Sequence, residues 1–334
     1  MSRFDELKDI LNRGKYFKVV CGAGNEDAQE VYKLSLVYAL AGALGIDVSA
    51  NIDIVKSAAD GIKKAFDVAP KLSRQIKIRP FINVSIGMRG DPHIRKATIY
   101  PDICTSCGIC VDRCLQKAVS DGYKVVTERC IGCGECADVC PAGAVKFFDK
   151  AKELEKILPE CLKCGAEIFE LHAVIQDDES VMGDWRLIND ILRDNFVSMC
   201  VDRSQMSDAH LIRRIKLAHQ ITGERLMIQA DGIPMSGGKD DFNTTLQAIA
   251  IADIIKKHNS PGMLLISGGT NSNSGELARM CGVKINGVAI GTFARKIVSN
   301  YIEDKRFGQD MDLVAQAVSA AEKLILDNIG PVYG

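Results

Sequence analysis

The chain has almost no surplus of charge. Across 334 residues, 42 Lys and Arg face 43 Asp and Glu, a formal net charge of −1. Nucleic-acid phosphates are held by a basic excess on some face. No long Lys/Arg run supplies one, so no nucleic-acid partner is expected. Long apolar stretches are missing too, and the run "LVYALAGALGI" is too short to cross a bilayer. The opening "MSRFDELKDILNRGKYF" is charged and amphipathic and lacks the apolar centre of a secretory signal. The "SGGK" within "DGIPMSGGKDDFNTT" (231–245) lacks the spacing of a nucleotide-binding P-loop. These absences predict a cytoplasmic protein that neither spans a membrane nor hydrolyses nucleotides. Its 47% apolar and 25% charged residues suit a globular chain with a large core.

Cysteine, by contrast, is plentiful. There are 13, and eight fall between Cys104 and Cys140. In a cytosolic protein, thiols at short, repeating spacing point to metal rather than to disulfides. The first run is Cys104, Cys107, Cys110 and Cys114; the second is Cys130, Cys133, Cys136 and Cys140, followed by Pro141. This x₂, x₂, x₃ spacing is the two-cluster ferredoxin pattern, in which the fourth cysteine of each run ligates the other cluster. It predicts two [4Fe–4S] clusters, one on Cys104, Cys107, Cys110 and Cys140, the other on Cys130, Cys133, Cys136 and Cys114. Gly108, Gly132 and Gly134 relieve crowding where amides turn toward sulfur. Leu115 stands where such a run often has proline, which affects a turn and not a ligand. A pair of zinc sites is the alternative, since four cysteines also bind zinc, but zinc sites usually pair two short hairpins.

The flanks alternate between strand and helix. Apolar β-branched runs end residues 17–22, 46–50, 80–87, 168–175, 196–202, 225–232, 262–269 and 286–292 as strands. Helical periodicity covers 26–42, 51–69, 150–166, 184–194, 207–223, 243–259, 274–282 and 310–327. Eight strands alternating with eight helices predict a (βα)₈ TIM-like barrel; an open doubly wound sheet is the alternative. Residues 1–97 and 149–334 form the barrel, and 98–148 are a ferredoxin-like insert after strand three. The insert thereby occupies a loop on the face where such barrels build their sites.

Residues two apart on each strand share a face, which sends Asp47 and Ser49, Asn83 and Ser85, Glu170 and His172, Cys200 and Asp202, and Gln229 and Asp231 toward the mouth. Glu170, His172 and Asp231 are candidate proton carriers, and Arg203 or Arg295 a candidate anion holder. Strands seven and eight end in "SGGTNSNSG" and "IGTFARK". Gly268, Gly269, Thr270, Gly291, Thr292 and Arg295 form a corner where backbone N–H groups can approach a phosphate. That corner suits FMN or another phosphate-bearing ligand; tight turns alone would also account for the glycines. Cys161 and Cys164 form a CxxC on a helix, either a redox dithiol, a third metal site or structural. Cys21 and Cys200 at strand ends, like Trp185, read more simply as core.

"FKVVCGAGNED", "IDVSA", "FELHAV", "ADGIPMSGG", "ISGGTNSNSG" and "GVAIGTFARK" around a two-cluster ferredoxin resemble the light-dependent period (LdpA) family, nearly end to end. The resemblance implies an iron–sulfur redox protein that reports redox state to a circadian clock input through signalling partners. The residues themselves favour an oxidoreductase that exchanges electrons with a donor or acceptor protein, or a flavoprotein. A sensor or a plain electron carrier are the other readings.

Overall fold

Eight parallel strands close on themselves in this computed structural model, which describes residues 1–331 apart from 23, 89–90, 92–93, 150–152 and 234–239. The strands are β1 (Tyr16–Val20), β2 (Gly45–Ser49), β3 (Phe81–Gly87), β6 (Ala166–His172), β7 (Val197–Val201), β8 (Leu226–Asp231), β9 (Met263–Ser267) and β10 (Gly287–Ile290). They follow one another in that order around the ring, and β1 pairs with β10 from Tyr16↔Gly287 to Val19↔Ile290. The closed barrel expected from eight βα units is therefore present, and the open sheet is not. Helices α2 (Ala28–Ala41), α3 (Ile52–Val68), α6 (Leu154–Lys163), α7 (Asp178–Ile191), α8 (Asp208–Thr222), α9 (Phe242–Lys257), α10 (Ser274–Met280), α11 (Thr292–Ile302) and α12 (Met311–Ile329) alternate with the strands. Their apolar stripes meet the outward faces of the strands in one continuous core.

Three elements differ from the sequence reading. Helix α7 starts at Asp178, six residues before the expected 184, because Asp177 accepts from the amides of Glu179 and Ser180 and acidic residues fill the first turn. The last strand, expected over 286–292, ends at Ile290, and the chain turns into α11 at Thr292, where no helix was expected. The amphipathic N-terminal segment is a helix, α1 (Arg3–Asn12), capped by a reciprocal Ser2–Asp5 box.

Helix α1 closes the base of the barrel. Leu7, Ile10 and Leu11 pack with Tyr16, Phe81, Ile168, Phe196, Met227 and Leu265, which lie in or just before six of the strands. Phe4 stacks on Phe196 at 4.8 Å, and the Arg3 guanidinium lies over the Phe81 ring. Two residues further along each strand the interior turns polar, with Lys18, Asp47, Asn83, Glu170, Ser198 and Gln229 all buried. Period-two alternation thus stacks an apolar layer under a charged one.

The segment between β3 and α6 forms a separate layer. Strands β4 (Arg95–Ile99) and β5 (Val145–Asp149) pair antiparallel, Arg95↔Asp149 to Ile99↔Val145. Between them lie two short helices, α4 (Ile109–Arg113) and α5 (Glu135–Asp138). Gly108 and Gly134 precede these helices with φ of +80° and +98°, a left-handed turn that glycine adopts without steric cost. Among the described residues no helix is long and apolar enough to cross a membrane.

Candidate functional site

The insert sits on the barrel mouth and is tied to it by named contacts. The buried Lys96 Nζ donates to the carbonyls of Gly24 (2.5 Å) and Cys130 (2.6 Å). Arg129 Nε reaches Asp27 at 3.0 Å, the Glu26 amide donates to the Glu128 carbonyl at 2.7 Å, and Lys117 pairs with Glu303. The loop after β1 and the end of α11 therefore grip the insert from two sides.

The eight thiols surround two small cavities. Cys104, Cys107, Cys110 and Cys140 line one, with Ile99, Tyr123 and Val145. Cys114, Cys130, Cys133 and Cys136 line the other, with Ala118, Val119 and Phe147. Amides point at the sulfurs: Ala97 N–H donates to Cys130 Sγ (3.3 Å), Ala118 N–H to Cys114 Sγ (3.3 Å) and Ala144 N–H to Cys140 Sγ (3.2 Å). Desolvation pushes the Cys140 thiol up, but the amides of Ala144, Ala142, Val145 and Gly143 outweigh it and hold it below its ordinary value. Burial raises Cys136 to about 12, with its three neighbouring thiols adding to the shift. Such thiols ionise when a cation takes the proton's place. Among the described residues, no three His, Cys, Asp or Glu side chains converge on a single-ion site. Four sulfurs spread round a cavity, with amides donating to them, suit a cubane better than zinc.

Below the insert, the mouth holds a cavity of about 70 Å³. Its walls include Asp47, Glu170, His172, Gln229 and Asp231 together with the glycine loops, Thr292 and Arg295. Ile131, next to Cys130, lines both this cavity and the one formed by Cys114, Cys130, Cys133 and Cys136. A single side chain thus forms a shared wall.

The floor is a buried charge network. Lys18 Nζ donates to Glu170 Oε2 at 2.7 Å and lies 4.0 Å from Asp47 Oδ2. Glu170 also accepts from Ser198 Oγ (2.7 Å) and Gln229 Nε2 (2.9 Å), and Asp47 accepts from Asn83 Nδ2 and Ser85 Oγ, both at 2.6 Å. Burial would raise Glu170, but Lys18 and His172 hold its carboxyl well below the usual range. Asp47 is raised, first by burial, against the pull of Lys18. Lys18 therefore favours the charged form of Glu170, its nearer partner, more strongly than that of Asp47. His172 Nδ1 meets Asp91 Oδ2 at 3.1 Å, and its Nε2 is 3.7 Å from Glu170. Burial opposes its charge, yet the hydrogen bonds to Asp91 and Glu170 raise it well above its ordinary value, which favours the protonated imidazole beside these two carboxylates.

The structure brings together Glu170, His172, Asp231, Gly268, Gly269, Thr270, Gly291, Thr292 and Arg295 around this one cavity. Arg203 does not join them. Strand β7 ends at Val201, and the Asp202 carboxylate accepts from the Ser204 amide and hydroxyl. That turn sends Arg203 outward to Asp208 at 2.8 Å, with 41% of its side chain exposed. Cys21 and Cys200 are buried, and burial raises both thiols; Cys200 donates to Asp231 Oδ2 at 3.2 Å. Cys161 and Cys164 end α6, at the base of the barrel and away from the insert. Of loop six, 234–239 lie outside the described residues. Sequence reasoning missed Lys18, Asp91 and Lys96. Lys18 was findable: it shares a face with the inward strand residues and interrupts an apolar run. Asp91 and Lys96 act through loops whose course no periodicity reveals.

Comparison with known proteins adds the lineage. "Light dependent period A" of Synechococcus elongatus is 27% identical to this chain over 337 residues, 97% of this chain and 93% of that protein. Among solved structures, the YdjI aldolase of Escherichia coli K12 aligns with a TM-score of 0.48 at 8% identity, over 98% of this chain and 95% of its own. Tryptophan synthase from M. tuberculosis, in its aminoacrylate-bound form, gives 0.47 at 9%, over 96% and 98%. A 4Fe-4S binding domain model matches residues 123–146, the stretch with the second cysteine run, and marks an iron–sulfur protein. The model of the Light dependent period A C-terminal domain matches residues 161–327, half of the sequence, and the chain belongs to that family.

Proposed function

We propose that the protein carries two [4Fe–4S] clusters and exchanges electrons between a partner protein at the insert and a small ligand at the barrel mouth. Cys114, Cys130, Cys133 and Cys136 would hold the inner cluster; Cys104, Cys107, Cys110 and Cys140 would hold the outer one. Bound there, the clusters supply one-electron chemistry. The observation that carries this reading is Ile131, which lines both the inner four-cysteine cavity and the mouth cavity. An aliphatic side chain between two cavities leaves a short, dry separation. Beneath it, His172 holds a proton against Asp91 and Glu170, ready to balance charge on a ligand that gains an electron. Gly268, Gly269, Thr270, Gly291 and Thr292 suit a phosphate. The cavity of about 70 Å³ lies below the roughly 300–1,000 Å³ of pockets for drug-sized ligands, which favours a small phosphate- or carboxylate-bearing ligand over FMN.

The test is iron counting joined to electron paramagnetic resonance on protein prepared without oxygen. The native chain is expected to hold about eight irons, as two cubanes require, and to show coupling between two reduced centres. Cys133→Ser should leave about four irons and one uncoupled signal. Native protein with about four irons, or with zinc in place of iron, would overturn the assignment.

A second reading has its own support. Similarity to "Light dependent period A", together with the exposed Cys107 on the outer cavity, favours a sensor whose insert presents redox state to a signalling partner. Partner capture that differs between oxidised and dithionite-reduced protein would support it; identical capture would remove it.

A further inference from the structure

Two buried polar atoms on the mouth cavity lack any hydrogen-bond partner among the described residues: Arg295 Nε and Gln229 Oε1. Arg295 is 6% exposed and Gln229 3%, and both side chains line the cavity. Leaving such atoms bare is unfavourable, so a ligand in the cavity that both residues line is expected to satisfy them. Resting on the reading above, we propose that the mouth binds a small anion that also carries a hydroxyl or amine. Its carboxylate or phosphate sits against Arg295, and its hydrogen-bond donor points at Gln229.

The anionic end follows from local structure. Arg295 spends one Nη1 hydrogen bond on the Val20 carbonyl at 2.8 Å and keeps Nε in reserve. It projects from the first turn of α11, an 11-residue helix whose cap, Gly291, has no side chain to satisfy the leading amides. Gly291 and Thr292 share the cavity wall with Arg295, so those amides and the positive helix end add to the guanidinium. A left-handed backbone at Gly268 (φ +70°) and Gly269 (φ +78°) lines the adjacent wall.

The donor end follows from β8. Gln229 commits its Nε2 to Glu170 at 2.9 Å, which fixes the amide and turns Oε1 to accept. The carboxylates that line the cavity do not repel the anion equally. Glu170 is paired with Lys18 at 2.7 Å, Asp47 accepts from Asn83 and Ser85, and Asp231 accepts from Cys200. With these carboxylates in the lining, the open acceptor of Gln229 calls for a donor and not for a second negative charge. A bare carboxylate or inorganic phosphate satisfies only half of the site.

The experiment compares matched probes by isothermal titration of the anaerobic holoprotein: glycolate against acetate, and glycerol 3-phosphate against inorganic phosphate. The hydroxylated member of at least one pair is expected to bind at least about tenfold more tightly. Whichever pair shows it identifies the anion as carboxylate or phosphate. Arg295→Lys and Arg295→Met should weaken that probe about tenfold and beyond detection, respectively. Gln229→Met should shrink the tenfold preference to near unity, and the lost hydrogen bond to Glu170 should lower the thermal midpoint while the probe's anionic end still binds. Equal binding within both pairs, no binding of any probe at 10-fold molar excess over millimolar protein, or full affinity in Arg295→Met would overturn the proposal. Cluster content and coupling, read on the same sample, remain a separate outcome: intact clusters without probe binding sink this inference alone, and probe binding without two clusters sinks the electron-transfer reading alone.

Discussion

The floor of the barrel fixes Lys18, Asp47 and Glu170 with side chains from β1, β2, β3, β6, β7 and β8, and each of those strands is paired on both edges. The insert places eight thiols with one two-stranded sheet and helices of five and four residues. Helices that short do not persist by themselves. Three of the seven buried apolar residues at the insert's centre are Cys110, Cys130 and Cys136. In the barrel, then, order precedes the site. In the insert, whatever the thiols bind is itself the core, and binding and folding are one event.

The largest effect should come from removing iron. Chelation under mild oxidation is expected to erase amide-exchange protection across 95–149 while the barrel strands keep theirs. Protection that persists in the insert would break the contrast. Next is the barrel's own weak point. Lys18→Met leaves Glu170 buried and unbalanced and should cost about 3–5 kcal/mol in urea denaturation. Adding Glu170→Gln should restore most of it; failure to restore would mean the network does not act as a unit.

Proton linkage sharpens the difference further, because residues 94–149 contain no histidine. His172 is raised in the folded state, so its stabilisation is complete below about pH 6.5, the unfolded value, and is lost as pH rises through the folded value. Glu170 is depressed, so its share is present above about pH 4.3 and is lost as pH falls. The alkaline decline in barrel stability should flatten in His172→Gln, with insert protection unchanged over the same range. The smallest effect is expected at the seam. Asp27 caps α2 by accepting from Gln29 and Glu30 and also pairs with Arg129 of the insert. Asp27→Ala should cost about 0.5–2 kcal/mol and speed exchange at Arg129 more than at barrel strands.

The barrel was legible because inward and outward residues alternate along each strand and turn signals separate strand from helix. Glu170, His172, Gln229 and Asp231 were placed by the same parity. Helix α1 was legible as amphipathic but not as a plug, since nothing local says that Leu7 and Leu11 meet Phe81 and Phe196, residues far along the chain. Helix α11 hid because its first turn is also the glycine-rich corner. The outward turn of Arg203 depended on Asp202 bonding its own loop, and strand parity stops where the strand does. The cysteines carried the most information, since metal geometry constrains spacing more tightly than packing constrains composition.

Leu7, Ile10 and Leu11 stopper one end of the barrel, and the described cavity lies at the other, under the insert. Ile131, beside Cys130, is part of that cavity's wall. Damage to the thiol-bearing roof would therefore reach beyond the insert: it would loosen a wall of the cavity and let bulk water onto the charged floor.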